Sequence, residues 1–158
     1  MKLTTRSSYG VRALIRLAIE HDGGEPVSIG HISREEGISN IYLEQIFNCL
    51  KNRGLVKSVR GPRGGYVLAR DPSRVSVYEV VMALEGSISP ARCISSGKGK
   101  ENVCGKASRC ASKEVWDEMG RQIKETLGRF SLRGLAERAM KITPGKNGRV
   151  YIYEKSLS

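Results

Sequence analysis

The sequence predicts a mainly α-helical protein with one small β-hairpin, arranged as a winged helix-turn-helix domain followed by a long dimerisation helix. Two helical patterns separated by Gly37 precede two short apolar runs with a basic connection, which is the element order of a winged helix. A second observation is a long amphipathic pattern over residues 113–129. Together they predict a compact domain with an extra helix that needs a partner surface.

Composition limits the possible partners. The chain of 158 residues carries a net charge of +11 and has a pI near 9.8, which favours a polyanionic partner, with nucleic acid ahead of a membrane surface. No apolar run reaches the length of a membrane span, and the N-terminus lacks the apolar core of a signal peptide, so we expect a cytoplasmic protein. Four cysteines in that setting favour metal ligands or redox thiols over disulfides.

The first helical pattern has Thr4 or Thr5 as a candidate cap and a stop at Gly23-Gly24. The second helix of the helix-turn-helix has apolar residues at spacing i, i+3, i+4 and i+7, namely Leu43, Ile46, Phe47 and Leu50. Its opposite face carries polar side chains that can reach base edges in a major groove, namely Glu44, Gln45, Asn48 and Asn52, with Ser39 and Asn40 at the helix start. Gly54 is typical of the position that ends a helix.

The apolar runs 55–59 and 66–69 form the predicted hairpin, and residues 60–65 form its tip. A polar helix face beside a hairpin is often only solvated. However, residues 45–70 contain six basic residues and no acidic one, which is the pattern expected of phosphate contacts. The basic candidates nearest the tip are Lys57, Arg60 and Arg63.

After the hairpin, Ser76 and Glu79 have the spacing of a capping box, and Val75 with Val80 that of a hydrophobic staple. The helix they begin is predicted to end at Gly86.

Residues 87–109 are rich in Gly, Ser and Lys and cannot build a core. They contain Cys93 and Cys104, and Cys110 follows directly after them. Gaps of ten and five residues match neither the paired C-x2-C of zinc ribbons nor ferredoxin spacings. The surrounding positive charge favours thiolates, which bind both zinc and iron–sulfur clusters, so spacing leaves both open. Cys49 lies beside the apolar face of its helix and is predicted to pack as a small hydrophobe.

The long helix has one apolar stripe, formed by Val115, Trp116, Met119, Ile123 and Leu127. The stripe could pack within its own subunit, but we favour a second copy of the chain, because helix-turn-helix proteins commonly bind two half-sites as dimers. Ser131 caps one more short helix to about residue 141. The predicted divisions are 1–86 for the DNA-binding domain, 87–111 for the cysteine loop, 112–142 for the dimerisation helix and short helix, and 143–158 for a tail.

The opening MKLTTRSSYGVRAL, the run YLEQIFNCLKNRGLVKSVRGPRGGYVLAR and three cysteines before a long helix resemble the IscR-type winged-helix regulators of bacterial iron–sulfur cluster assembly. The resemblance covers about the first 140 residues. It implies a homodimer joined through the long helix, binding to palindromic promoter DNA, and a [2Fe-2S] cluster that changes which DNA sites are preferred. It also implies DNA contacts by Ser39, Tyr42, Glu44, Arg60, Gly61 and Pro62, to which the charge and polarity patterns add Asn40, Gln45, Lys57 and Arg63.

By the same resemblance, Cys93, Cys104 and Cys110 are the cluster ligands. Two departures concern this site: the family's first gap is five residues and not ten, and its ligating histidine three residues after the last cysteine is replaced by Lys113. A protonated lysine has no lone pair to offer. Nitric-oxide-sensing relatives use a carboxylate near the partner's N-terminus, where this chain has Ser7 and Ser8. The fourth ligand therefore stays open between Glu114, solvent and a residue of the other subunit.

These patterns predict a homodimeric transcription regulator that senses iron–sulfur status or oxidative stress through a [2Fe-2S] cluster. The alternative is a winged-helix regulator whose cysteines act as redox thiols or bind zinc. An enzyme is not expected, and neither is a small-molecule substrate. The sequence has no glycine-rich phosphate loop that opens a helix, no HExxH motif and no nucleophile elbow.

Overall fold

The computed structural model describes residues 4–20, 24–88 and 109–142. This part of the chain contains six α-helices and a two-stranded antiparallel hairpin, which confirms the predicted mainly α fold class. The helices are α1 Thr5–Ile19, α2 Ile29–Glu36, α3 Asn40–Asn52, α4 Val77–Glu85, α5 Lys113–Gly128 and α6 Leu132–Lys141, and the strands are β1 Val56–Val59 and β2 Gly65–Leu68. A single 3-10 turn, Pro72–Arg74, connects the hairpin to α4.

Helices α2 and α3 form the helix-turn-helix. The side chain of Ser28 accepts a hydrogen bond from the His31 backbone N–H at the start of α2, and Ser39 accepts one from Tyr42 at the start of α3. Gly37 ends α2 with φ of 65°, a left-handed conformation that favours glycine. Ser33 then donates a 2.6 Å hydrogen bond to the Ile38 carbonyl, which holds the tight turn predicted at Gly37.

The hairpin pairs Val56 with Leu68 and Val59 with Gly65. Val27, just before α2, extends the hairpin by an isolated antiparallel β-bridge, because the backbones of Val27 and Tyr66 exchange hydrogen bonds of 3.0 and 2.9 Å. A Cβ at Gly65 would lie 2.3 Å from the Val27 carbonyl oxygen, so this close approach requires glycine. The wing is therefore fixed to the start of the helix-turn-helix.

Helix α1 ends at Ile19, before the predicted stop at Gly23-Gly24. The rest of α1 crosses the core. Leu14 and Leu17 are 0% and 1% exposed, and they share one hydrophobic cluster with Phe47 of α3 and Leu132 of α6. Helix α6 is thus built into the same core as the helix-turn-helix.

The corner between α5 and α6 is joined to the start of α4 by backbone hydrogen bonds. Val77 donates to the Phe130 carbonyl and Leu132 donates to the Val75 carbonyl, each over 2.9 Å. These two bonds flank Ser76 and Ser131, which cap α4 and α6 as predicted, with the capping box between Ser76 and Glu79 fully formed. The C-terminal end of α5 is therefore fixed to the DNA-binding domain.

One ionic cluster lies inside the fold. Glu36 is 2% exposed, and its carboxylate oxygens accept hydrogen bonds from Arg16 at 3.0 Å and from Arg12 at 3.3 Å. Arg12 also donates to the Glu36 backbone carbonyl. This cluster fixes the end of α2 against α1. In the described ranges, no helix has the length and apolar character needed to cross a lipid bilayer.

Candidate nucleic-acid interface and cysteine site

Helix α3 has one buried and one exposed face. Its apolar residues Leu43, Ile46, Phe47 and Leu50 are all 0% exposed, as predicted. The opposite side chains, Ser39, Asn40, Glu44, Gln45, Asn48 and Asn52, are all exposed. The helix thus presents polar groups of a length that reaches base edges in a major groove.

Tyr42 differs from the other candidates on α3. It is half-buried, and its ring packs edge-on against Tyr9 of α1, with 5.8 Å between ring centroids. The guanidinium of Arg12 lies over the same Tyr9 ring, 5.3 Å from its centre. This stack positions the start of α3 on α1, and a DNA contact by Tyr42 stays a prediction.

The predicted contact residues of the wing, Lys57, Arg60, Gly61, Pro62 and Arg63, are all exposed. Gly61 has φ of 127°, a conformation open to glycine, which allows the tight tip. None of the three basic side chains in this set takes part in an ion pair within residues 4–20, 24–88 and 109–142. Their charges therefore face solvent and are available to an anionic partner.

Arg70, the last of the six basic residues in the run, has a different role. Its guanidinium donates a 2.8 Å hydrogen bond to Glu79 of α4. Burial raises the pKa of Glu79, but hydrogen bonds from the Ser76 backbone and from Arg70 more than offset this, so that its pKa lies below the ordinary value. The carboxylate is therefore ionised at neutral pH and retains Arg70.

A groove lies between the wing tip and the start of α2. Its lining includes Pro62, Arg63 and Gly64 of the wing tip, Ser28, His31 and Arg34 at the start of α2, and the carboxylates Glu20 and Glu25. His31 Nε2 lies 2.8 Å from a carboxylate oxygen of Glu20. The groove brings cations of the wing and of α2 to one surface, although the sequence places them about 30 residues apart.

The structure describes one of the three predicted cluster cysteines, Cys110, and the other two, Cys93 and Cys104, lie outside the described residues. Cys110 is half-buried and lies three residues before the start of α5. Its sulfur lies 3.1 Å from the Ser112 hydroxyl. Hydrogen bonds from the Ser112 side chain, and then from the backbone N–H groups of Ser112 and Lys113, lower the pKa of the Cys110 thiol. These hydrogen bonds favour the thiolate form of Cys110 relative to an ordinary cysteine.

Neighbouring side chains limit what else can ligate beside Cys110. The ammonium of Lys113 pairs with Asp117 one turn along α5, and so provides no lone pair. Glu114 is exposed in the first turn of α5. Among the described residues, no three His, Cys, Asp or Glu side chains come together as a metal site.

Cys49 packs against the hydrophobic core, and its thiol donates a 3.2 Å hydrogen bond to the Ala83 carbonyl of α4. This placement agrees with the packing role predicted for it.

The stripe predicted for α5 is divided in the structure. Ile123 and Leu127 pack against Val77, Val81 and Ile88 of the same subunit. Val115 and Met119 are 59% and 42% exposed, and Trp116 is half-buried. Among the described residues, the N-terminal half of α5 thus leaves apolar surface uncovered.

Sequence reasoning omitted Ile41, which is 73% exposed on α3. Its spacing from Glu44, Gln45 and Asn48 could have placed it on the same exposed face, since positions i, i+3, i+4 and i+7 share one side of a helix.

A helix-turn-helix with an exposed polar second helix, flanked by an exposed basic hairpin, defines this protein as a winged-helix DNA-binding regulator. The chain belongs to the Rrf2 family, described as iron-dependent transcriptional regulators, whose profile matches residues 3–138. It is 41% identical over 137 residues to the HTH-type transcriptional regulator IscR of Xenorhabdus nematophila, a match that covers 87% of this chain and 80% of that protein. The IscR of Photorhabdus laumondii is 39% identical over 135 residues.

Solved structures agree with this assignment. CymR, the global cysteine regulator of B. subtilis, superimposes with a TM-score of 0.69 at 35% identity, over 87% of this chain and 98% of that chain. T. potens IscR superimposes with a TM-score of 0.69 at 34% identity, over 92% and 94% of the two chains. The predicted resemblance to IscR-type regulators is confirmed, and the protein is a transcriptional regulator of that type.

Proposed function

We propose that this regulator binds palindromic promoter DNA as a homodimer and selects its sites according to a [2Fe-2S] cluster held by Cys93, Cys104 and Cys110. Such a protein would control genes of iron–sulfur cluster biogenesis or of oxidative and iron stress. The description of the family as iron-dependent and the relatives named IscR support this reading. The wing and the exposed face of α3 would supply the DNA contacts.

The observation that carries the proposal is the setting of Cys110. It ends a cysteine-bearing segment of Gly-, Ser- and Lys-rich composition, and hydrogen bonds lower the pKa of its thiol, which favours the thiolate form that ligates metals. It also lies at the N-terminal end of α5, and the other end of α5 is bonded to the DNA-binding domain through Phe130 and Leu132. A change at Cys110 would therefore have a route along α5, and through the corner between α5 and α6, to the start of α4.

The donor chemistry around Cys110 fits such a cluster. Thiolates are the usual ligands of iron–sulfur clusters, and Glu114 offers an exposed carboxylate four residues further on. Lys113 is excluded as the fourth ligand by its charge and its pairing with Asp117. When bound, the cluster would supply a site that responds to iron supply and to oxidants.

The dimer is proposed from the uncovered half of α5. No residue of α5 is fully buried within the described part of one chain, and Val115 and Met119 leave apolar surface exposed next to Trp116. A second copy placed on this face would cover all three side chains and continue the packing that Ile123 and Leu127 begin.

The cluster is tested by purifying the full chain without oxygen and measuring its visible absorption, iron and acid-labile sulfide. We expect about two irons and two sulfides per subunit. Replacing Cys93, Cys104 or Cys110 singly by alanine should abolish the absorption, whereas the matched variant Cys49→Ala should retain it, because its thiol bonds to Ala83 in the core. Glu114→Ala should weaken the cluster if that carboxylate is the fourth ligand.

The alternative function is a regulator whose cysteines act as redox thiols or bind zinc. It is favoured by the likeness to CymR, whose B. subtilis form is called a global cysteine regulator and whose Staphylococcus aureus form was solved in an oxidized state. Colourless protein after anaerobic purification, with one zinc per subunit or with thiols that oxidise reversibly, would contradict the cluster and support this alternative.

A further inference from the structure

The most exposed large apolar side chain in the described part of the protein is Ile41 of α3, at 73%. The four apolar side chains on the opposite face of the same helix are all 0% exposed. Ile41 is followed by Tyr42, which packs on Tyr9, and preceded by Asn40, which is polar and exposed. Packing within the chain therefore does not explain an aliphatic residue at position 41.

Ile41 occupies a position from which a helix-turn-helix contacts DNA bases. It lies in the first turn of α3 and shares a face with Glu44, Gln45 and Asn48 at spacing i, i+3, i+4 and i+7. The N-terminal residues of the second helix are those that contact base edges when a helix-turn-helix enters the major groove. On the exposed α3 face formed by these four side chains, Ile41 is the apolar one.

The major groove presents one common apolar group, the 5-methyl of thymine. The other three side chains of this face recognise hydrogen-bonding edges, since Gln and Asn pair with adenine and Glu accepts from cytosine. A β-branched aliphatic side chain in the first turn of a helix gains nothing from helix propensity. Contact with a methyl group would remove apolar surface of both partners from water.

We propose that Ile41 is a specificity-determining residue that contacts the 5-methyl group of a thymine in each half-site. This inference rests on the proposed function, in which the exposed face of α3 enters the major groove. It adds an apolar contact to the hydrogen-bonding contacts of Glu44 and Gln45, and it assigns to the protein a preference for thymine at the base pair that faces the first turn of α3.

The test uses the full chain and a DNA site selected by it from a random pool. Each thymine of the site is replaced in turn by deoxyuracil, which removes only the methyl group. Loss of one buried methyl should weaken wild-type binding about four-fold at one thymine per half-site. Ile41→Ala should be insensitive to that replacement, and Ile41→Val should keep most of the sensitivity.

Met140→Ala is the matched control, because Met140 is also an exposed apolar residue, at 49%, but lies on α6 outside the helix-turn-helix and the wing. It should respond to deoxyuracil as the wild type does. Sequence-selective binding in which no thymine methyl matters, or in which Ile41→Ala keeps the full response, would overturn the assignment of Ile41 alone. Wild-type protein without any sequence-selective binding would overturn the proposed function as well.

Discussion

Arg70 and Glu79 are joined by a 2.8 Å hydrogen bond, which attaches the end of the wing to α4. This pairing distinguishes Arg70 from the basic side chains at the wing tip, Arg60 and Arg63, which have no ion-pair partner in the described part of the chain. One arginine thus supports the wing, and the other two are available for DNA.

The first prediction separates these two roles. Arg60→Ala should weaken DNA binding and reduce the slope of log affinity against log salt by about 0.9, the value for one lost phosphate contact. Arg70→Ala should leave that slope unchanged, because the Arg70 guanidinium is already paired with the Glu79 carboxylate. Binding titrations over a range of salt concentrations measure both. Equal slopes for Arg60→Ala and the wild type would contradict the wing assignment.

The second prediction concerns base recognition by Glu44. A carboxylate facing the groove accepts from the cytosine amino group, so Glu44→Ala should relax discrimination at one base pair by about 1–3 kcal/mol. Binding to unrelated DNA should not weaken, because the substitution removes a negative charge near phosphates. Glu137→Ala, which removes an exposed carboxylate on α6 outside the helix-turn-helix and the wing, is the matched control. Selection from random DNA that returns the wild-type motif for Glu44→Ala would exclude this contact.

The third prediction tests the dimer through α5. Met119→Glu should give folded monomers, because Met119 is 42% exposed in the single chain and a charge there is buried only by a partner. Ile123 is the poorer choice, since it packs within its own subunit and its substitution would also disturb that packing. Sedimentation measures the mass, and circular dichroism checks the fold. A Met119→Glu protein that remains a dimer would place the interface elsewhere.

The fourth prediction concerns the buried ionic cluster. Glu36→Ala would remove the buried carboxylate that pairs with Arg16, which is 6% exposed. Breaking a buried ion pair by removing one member costs about 3–5 kcal/mol of the free energy of unfolding. Chemical denaturation should show this loss, whereas Glu25→Ala, at an exposed position, should be nearly neutral. A loss below about 1 kcal/mol for Glu36→Ala would contradict the role of this cluster.

The fifth prediction follows from Glu85, which accepts hydrogen bonds from the backbone and side chain of Thr4 and from the Ser7 hydroxyl. Burial raises its pKa, but the bonds from Ser7 and Thr4 outweigh burial and place it below the ordinary value of 4.5. The carboxylate therefore stabilises the fold above that pH, and this contribution is lost as the pH falls through the lowered pKa. Unfolding measured between about pH 3 and 7 should show a flatter acid limb for Glu85→Gln. Superimposable profiles would contradict this.

The sequence predicted the helices well where their signals are local. Ser76, Glu79 and Ser131 cap their helices as expected because a cap depends on residues within one turn. The apolar face of α3 followed from spacing alone, since Leu43 to Leu50 fall on one side of a helix.

Features that depend on distant parts of the chain could not be predicted in this way. The β-bridge between Val27 and Tyr66 involves a single residue before α2, so the sequence there shows no alternating strand pattern. Arg16 is a charged residue that can be buried because it forms an ion pair with Glu36 on another helix. The stripe of α5 showed that a face is apolar but not that Ile123 and Val115 would have different neighbours. In the site, the ion pair between Arg70 and Glu79 could not be predicted either, because it joins residues of two different elements.

The two hydrogen bonds around Ser76 and Ser131 leave α5 little freedom to pivot on the DNA-binding domain. Two domains joined through α5 would therefore hold their recognition helices at a fixed separation. DNA makes one turn in about 10 base pairs, so about five extra base pairs between half-sites would rotate one of them to the far side of the duplex. The helical phase of the two half-sites, and not their base sequence alone, would then determine which promoters this protein can occupy.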